Sequence, residues 1–138
     1  MDIPIFHEFL RSDDTLWVYT GEKRLFASNK GFLFPLIEYI GKFGSHQKQV
    51  TILDKIMGNA AALLSAKAGA RKVYSPLGSK LATNTLAKYH IEYYITEIVP
   101  FIQSRDRENT CPMEKLSISK DFSLDEFYKA VMHQYDLI

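Results

Sequence analysis

A chain of 138 residues, 46% apolar and 24% charged, is long enough to bury one substantial core and too apolar to be disordered, so a single domain over residues 1–138 is expected. Seventeen basic against sixteen acidic residues leave a net charge of +1, which argues against a nucleic-acid binder or a protein held on an anionic membrane. The single cysteine, Cys111, excludes an internal disulfide and suits a reducing cytoplasm, and no run of about 18 apolar residues offers a membrane span.

The opening Met-Asp-Ile-Pro-Ile-Phe lacks a basic n-region and a long apolar h-region, so it does not read as a signal peptide. Ile5, Phe6, Phe9 and Leu10 recur at helical spacing behind Pro4, which predicts a short amphipathic helix over 4–11, ended by Ser12, Asp13 and Asp14. Phe6 and Phe9 either pack on their own domain or serve a homo-oligomer contact. Leu16–Thr20 and Leu25–Ser28, joined by Gly21-Glu22-Lys23-Arg24, predict a β-hairpin. A helical period through Leu33, Leu36, Ile37, Ile40 and Phe43 follows, and Pro35 places the helix start close to itself. Residues 44–46 make a turn.

The stretch from Val50 to Ala70 organises the rest. Its first residues are apolar and β-branched, as in a strand buried on both faces. Asp54 and Lys55 then bring charge, Gly58 permits a tight turn, and an alanine-rich helix runs to Gly69, where a left-handed cap belongs. Open α/β folds place ligand sites at such strand-to-helix turns. Arg71–Ser75 is predicted as a strand, Pro76–Lys88 as a helix with Leu77, Leu81 and Leu86 inward, and Tyr89–Ile98 as holding a further strand. After a polar loop, 110–116 reads as a helix start with Pro112 in its first turn, and Ser123-Leu124-Asp125-Glu126 as a capping box opening a last helix to about Tyr135. This order predicts an α/β layered sandwich with a mixed sheet.

Candidate chemistry lies in three places. Asp54 and Lys55 sit at a strand end, where the amides near Gly58 and Asn59 could receive an anion; otherwise Asp54 caps the helix and Lys55 points to solvent. Cys111 and Glu114, three apart, share one face of a helical turn, where a thiol is acidified by the helix dipole or else is a small core residue. Arg105 and Arg107, in the charged run 105–108, either form a solvated face or clamp a phosphate or carboxylate. The four histidines share no spacing, and His90-Ile91-Glu92 reads as the polar face of a strand. No paired cysteines, Walker loop, dinucleotide fingerprint or nucleophile elbow occurs, so no cofactor and no metal ligand is assigned.

Leu53–Ala62 (Leu-Asp-Lys-Ile-Met-Gly-Asn-Ala-Ala-Ala), taken with Asn109–Leu116 (Asn-Thr-Cys-Pro-Met-Glu-Lys-Leu), resembles a small prokaryotic family known as domain of unknown function 1893. The lead-in Ile98–Ile102 and Arg105-Asp106 is similar as well, and the likeness runs from about Leu10 to Ala130. It implies a cytidine-deaminase-like fold, a three-layer α/β/α sandwich. Deaminases hold zinc with a His or Cys at one helix start and a Pro-Cys-x-x-Cys turn at another, with a catalytic Glu two residues after the first ligand. Here Gly58-Asn59 opens the first helix without His-x-Glu, and Glu114 stands where the second turn would have its other thiolate. Where the family often has lysine after Gly58, this chain has Asn59.

The expected function is binding of a small, nucleotide-like or anionic ligand in a cleft between the Asp54-Lys55 turn and the Cys111-Glu114 helix start. Asp54, Cys111 and Glu114 are the candidate catalytic residues, as a thiolate with a carboxylate proton carrier or as a mixed carboxylate–thiolate metal site. Lys55, Gly58, Asn59 and Arg105 are the candidate ligand contacts. The alternative is a non-catalytic interaction module that kept the fold.

Overall fold

The computed structural model describes residues 2–44, 46–103 and 111–138. In chain order they form α1 (Asp2–Arg11), β1 (Leu16–Thr20), β2 (Lys23–Ser28), α2 (Phe34–Phe43), β3 (Val50–Asp54), α3 (Asn59–Lys67), β4 (Ala70–Ser79), α4 (Lys80–Lys88), β5 (Glu92–Val99), α5 (Pro112–Ser117) and α6 (Leu124–Gln134). The sheet runs β2-β1-β3-β4-β5; β1 is antiparallel to both neighbours, while β3, β4 and β5 are parallel. This is the mixed-sheet α/β fold that the alternation of elements predicts.

Strand residues alternate between faces, and here the two faces carry very different loads. Leu16, Val18, Val50, Ile52 and Val73 join one large core with α2, α3, α4, α5 and α6. Trp17, Tyr19, Leu53 and Tyr74 point the other way and are covered by α1 through Phe9, Ile5 and Phe6, with Arg24 over the Trp17 ring and Tyr94 stacked on Tyr74. Phe9 packs 5.2 Å from the Trp17 ring and Phe6 5.7 Å from Tyr74, so both phenylalanines serve their own domain. On the crowded face α3 lies innermost, against α2, α4, α5 and α6. Its residues Asn59–Ser65 are all buried, and the short alanine side chains let four helices approach it.

Several local readings hold in detail. Gly69 takes φ +83° after α3, and α6 opens on a full capping box, with Ser123 Oγ accepting from Glu126 N at 3.1 Å and Glu126 Oε1 accepting from Ser123 N at 2.9 Å. The segment after Ser75 differs from expectation. Pro76–Ser79 continues β4 instead of opening α4, because Leu77, Gly78 and Ser79 pair in register with Glu97, Ile98 and Val99. Gly78 makes this close pairing feasible: a β-carbon there would stand 2.8 Å from Ile95 Cδ1 and 3.1 Å from the Met57 carbonyl oxygen. The true helix start is Ser79, whose Oγ accepts from Ala82 N at 3.1 Å. β5 forms where a further strand is expected, and most of it stays open, with Tyr93 38% exposed.

Because α1 covers its face of the sheet, its anchor matters. Phe9→Ala is expected to destabilise the fold by about 3–5 kcal/mol, read as a lowered midpoint in urea unfolding, whereas Leu10→Ala at an exposed position of the same helix should change it little.

Candidate functional site

Where the carboxyl end of β3 meets the amino ends of α3 and α5, a cleft of about 370 Å³ opens. Asp54, Lys55, Gly58, Cys111 and Glu114 border it, so the two distant segments singled out in the sequence do share one hollow. Asn59 is not among its walls, and Arg105 lies outside the described residues. The remaining lining is mostly apolar, with Leu33, Ala60, Ala61, Ile102 and Met113 inside. Phe32, 67% exposed, and Ile56, 51% exposed, also border it.

Glu114 is 2% exposed and has both carboxylate oxygens engaged. Oε1 accepts from the Asn59 backbone N–H at 2.6 Å and from Ser79 Oγ at 2.9 Å, while Oε2 accepts from the Ile102 backbone N–H. Asn59 is the first residue of α3, so the carboxylate sits on the electropositive end of that helix. The anion place foreseen near Gly58 and Asn59 is therefore filled by the protein itself. Gly58 gives the clearance: a β-carbon there would lie 3.1 Å from Ile102 Cγ1 and 3.3 Å from Glu114 Oε1. The Asn59 side chain turns away from the cleft, donating to Ser117 Oγ at 3.0 Å and accepting from Thr85 Oγ1.

Asp54 and Lys55 are adjacent at the end of a strand, and their side chains part. Asp54 pairs with Leu16 across the ladder and shares its face, the one that carries the cleft. The Lys55 ammonium goes to the α1 side, donating to the carbonyls of Ser12 and Asp14 at 2.8 Å each and lying 4.7 Å above the Phe9 ring. Lys55 thus ties the end of α1 to the sheet, and Asp54 keeps no cationic partner among the described residues. Asp54 Oδ1 accepts a long bond, 3.3 Å, from Ile56 N. Burial outweighs the backbone N–H groups of Ile56 and Lys55 and pushes the Asp54 carboxyl up to about 7.

Cys111 is half-buried at the N-cap of the six-residue α5, its N–H donating to the Ile102 carbonyl at 2.8 Å. Tyr135, a cleft residue the sequence offered only as a helix end, has a buried hydroxyl with no hydrogen-bond partner among the described residues. Burial raises its phenol; the Leu33 backbone amide opposes this from outside hydrogen-bond geometry, and Cys111 adds to the rise. Phe32, beside Leu33, adopts φ +57°, a conformation that a bulky residue rarely takes.

Zinc held in the deaminase manner does not fit this donor set. Among the described residues no three His, Cys, Asp or Glu side chains gather closely enough for a metal ion, and the Glu114 oxygens already face three protein donors.

Comparison with known proteins finds a family and a solved structure of that family. The model of the TM1506 domain of unknown function, DUF1893, matches residues 5–134. The crystal structure of a DUF1893 family protein, TM1506 from Thermotoga maritima, superposes with a TM-score of 0.84 at 26% identity, covering 95% of this chain and 87% of that one. No curated protein matches.

Removing the Glu114 carboxylate leaves three buried donors unpaired. Glu114→Ala is expected to cost about 3–5 kcal/mol, and Glu114→Gln, which keeps one acceptor oxygen, about 1–3 kcal/mol. Chemical denaturation checks both, and midpoints unchanged from wild type would contradict the bridging role.

Proposed function

Because the chain belongs to the DUF1893 family, a domain of unknown function, the cleft has to supply the activity, and we propose that it binds a small, largely apolar molecule presenting a hydrogen-bond donor or a positive group to Asp54. The observation that carries this reading is the Asp54 carboxyl itself, half-buried on the cleft wall with no cation beside it among the described residues and pushed up to about 7. A carboxyl poised there can accept a proton from a ligand or hand one over near neutral pH. The Tyr135 hydroxyl, without a partner among the described residues, and the Cys111 thiol offer two further polar handles in a mostly apolar hollow, the usual make-up of a small-molecule site.

The anionic version of the ligand has less support among the described residues of the cleft. Glu114 takes the Asn59 amide, Lys55 is turned to backbone carbonyls, and Lys30 at the rim pairs with Glu38 at 3.1 Å. The cytidine-deaminase-like relationship belongs to the same proposal. It is supported by the two helix starts, at Gly58-Asn59 and Cys111-Glu114, closing on one another as deaminase zinc turns do. In this lineage the carboxylate of Glu114 would join the helices where deaminases use metal. A reducing, cytoplasmic setting is consistent with the single, half-buried Cys111. A non-catalytic module is the second reading, favoured by the architectural engagement of Glu114 and Lys55.

The test is a thermal-shift panel of small amines, amides, carboxylates and phosphates of similar size. Amines or amides should raise the midpoint of wild type and not of Asp54→Asn; stabilisation by the anions alone would sink the proposal. The pH dependence gives an independent check. Folded Asp54 keeps its proton up to about pH 7, whereas the unfolded carboxyl, at 3.8, has lost it. Its contribution is therefore full below about pH 4 and declines as pH rises through 7. Asp54→Asn should flatten that decline and be the more stable protein at pH 8 by about 1–2 kcal/mol, a value reduced for solvent screening at the cleft.

A further inference from the structure

We propose that this chain forms a twofold homodimer by antiparallel pairing of β5 with β5 of a second copy, extending the five-stranded sheet to ten strands. β5 is the outermost strand, beyond β4, and no described strand pairs with its outer side. Parallel strands normally lie buried on both faces, yet six of the eight β5 residues are exposed. On the α1 side Tyr94 and Ile98 are each 49% exposed, and on the helix-rich side Tyr93 is 38% exposed. An edge that exposes Tyr93, Tyr94 and Ile98 favours a cover, and natural edges otherwise carry charged side chains, proline or a bulge. β5 has no lysine, no proline and an unbroken alternation, with Glu92 and Glu97 as its only charges.

The occupant is a second copy because the strand is complementary to itself. A twofold axis normal to the sheet keeps like faces together, so each residue meets one of the same parity. With Thr96 on the axis, Tyr94 lies opposite Ile98 and Tyr93 opposite Val99, twice each. Aromatic and β-branched side chains then pair across the seam, and Thr96 meets Thr96. Glu92 falls opposite Pro100 and Glu97 opposite Ile95, so no glutamate is directly opposed to its copy. Shifting the axis to Glu97 would oppose the two Glu97 carboxylates directly, which the edge disfavours. The same register carries each Tyr93 towards an apolar groove of about 440 Å³ at the end of the partner's strand, lined by Lys80, Leu81, Ile98, Val99, Pro100 and Phe101.

Eight residues make a seam about 26 Å long, and with side chains on both faces it buries on the order of 500 Å² per copy, less than the ~800 Å² of a standard interface. The dimer is therefore a weak one, dissociating in the micromolar range.

Sedimentation equilibrium of the full chain from about 10 μM to about 1 mM should give a monomer–dimer equilibrium, the range a sub-standard interface implies. Ile98→Lys and Tyr94→Lys, both at exposed positions, should leave a monomer at every concentration with an unchanged circular dichroism spectrum. In a Cys111→Ser background, which removes the only native thiol, Thr96→Cys should oxidise to a disulfide-linked dimer and Glu92→Cys should not. A wild type that stays monomeric, a dimer that survives both lysine substitutions, or equal cross-linking at positions 92 and 96 would each overturn the proposal.

Discussion

The Glu114 carboxylate is the constraint on which the functional half of the molecule depends. It fixes α5 to the first residue of α3, to the hydroxyl that caps α4 and to the backbone beyond β5. These segments are distant in sequence, and the carboxylate adds a buried polar tie to their direct contacts. A lone carboxylate buried to this degree would cost several kcal/mol of lost hydration. Three short, charge-assisted hydrogen bonds and the positive end of a helix offset that cost. The result is a rigid back wall for the cleft, built from polar atoms that are all mutually satisfied.

The same bond explains why the cleft is apolar at its base. Once the α3 amino end is neutralised from within, the hollow in front of it has no positive pole to offer a phosphate. What faces the opening is the row Gly58, Ala60 and Ala61 on one side and Met113 on the other, with the Asp54 carboxyl on the wall between them and β3. Alternation along β3 supplies the rest. Since Asp54 and Lys55 project to opposite faces, the lysine cannot neutralise its neighbour, and it goes instead to clamp α1. The perturbed carboxyl thus follows from two sequence-adjacent residues being driven apart by strand geometry.

Much of this frame is legible in the amino-acid sequence, because local signals and global packing agree. The hairpin, the buried strand Val50–Asp54, the alanine-rich helix, its Gly69 cap and the Ser123 capping box each rest on chemistry within a few residues. The failures share a different cause. Pro76 has the look of a helix opener, and only the partners on either side of β4 show that Ser79 is the real cap. The openness of β5 depends on what does not cover it, which periodicity cannot express. At the site, spacing brought Cys111 and Glu114 to one turn, but the donors that engage Glu114 come from Asn59, Ser79 and Ile102, up to 55 residues away. Phe32 and Tyr135 reach the cleft from the ends of elements, where only an exposed aromatic beside Gly31 and a tyrosine closing the last helix hinted at a role.

A carboxylate at the start of α5 that bonds the amino end of α3 changes what the two helix starts can do. A thiolate there is a soft ligand that leaves the helix amino end free to polarise a bound metal or water. A glutamate is one that reaches across and bonds that amino end directly, so the electrostatic work of the two helix starts is consumed in holding them together. The next group along the wall is Asp54, whose proton is held more tightly by burial. Among the described residues of the cleft, Asp54 is the group that burial keeps protonated up to about pH 7, since no cation stands beside it to favour the ionised form.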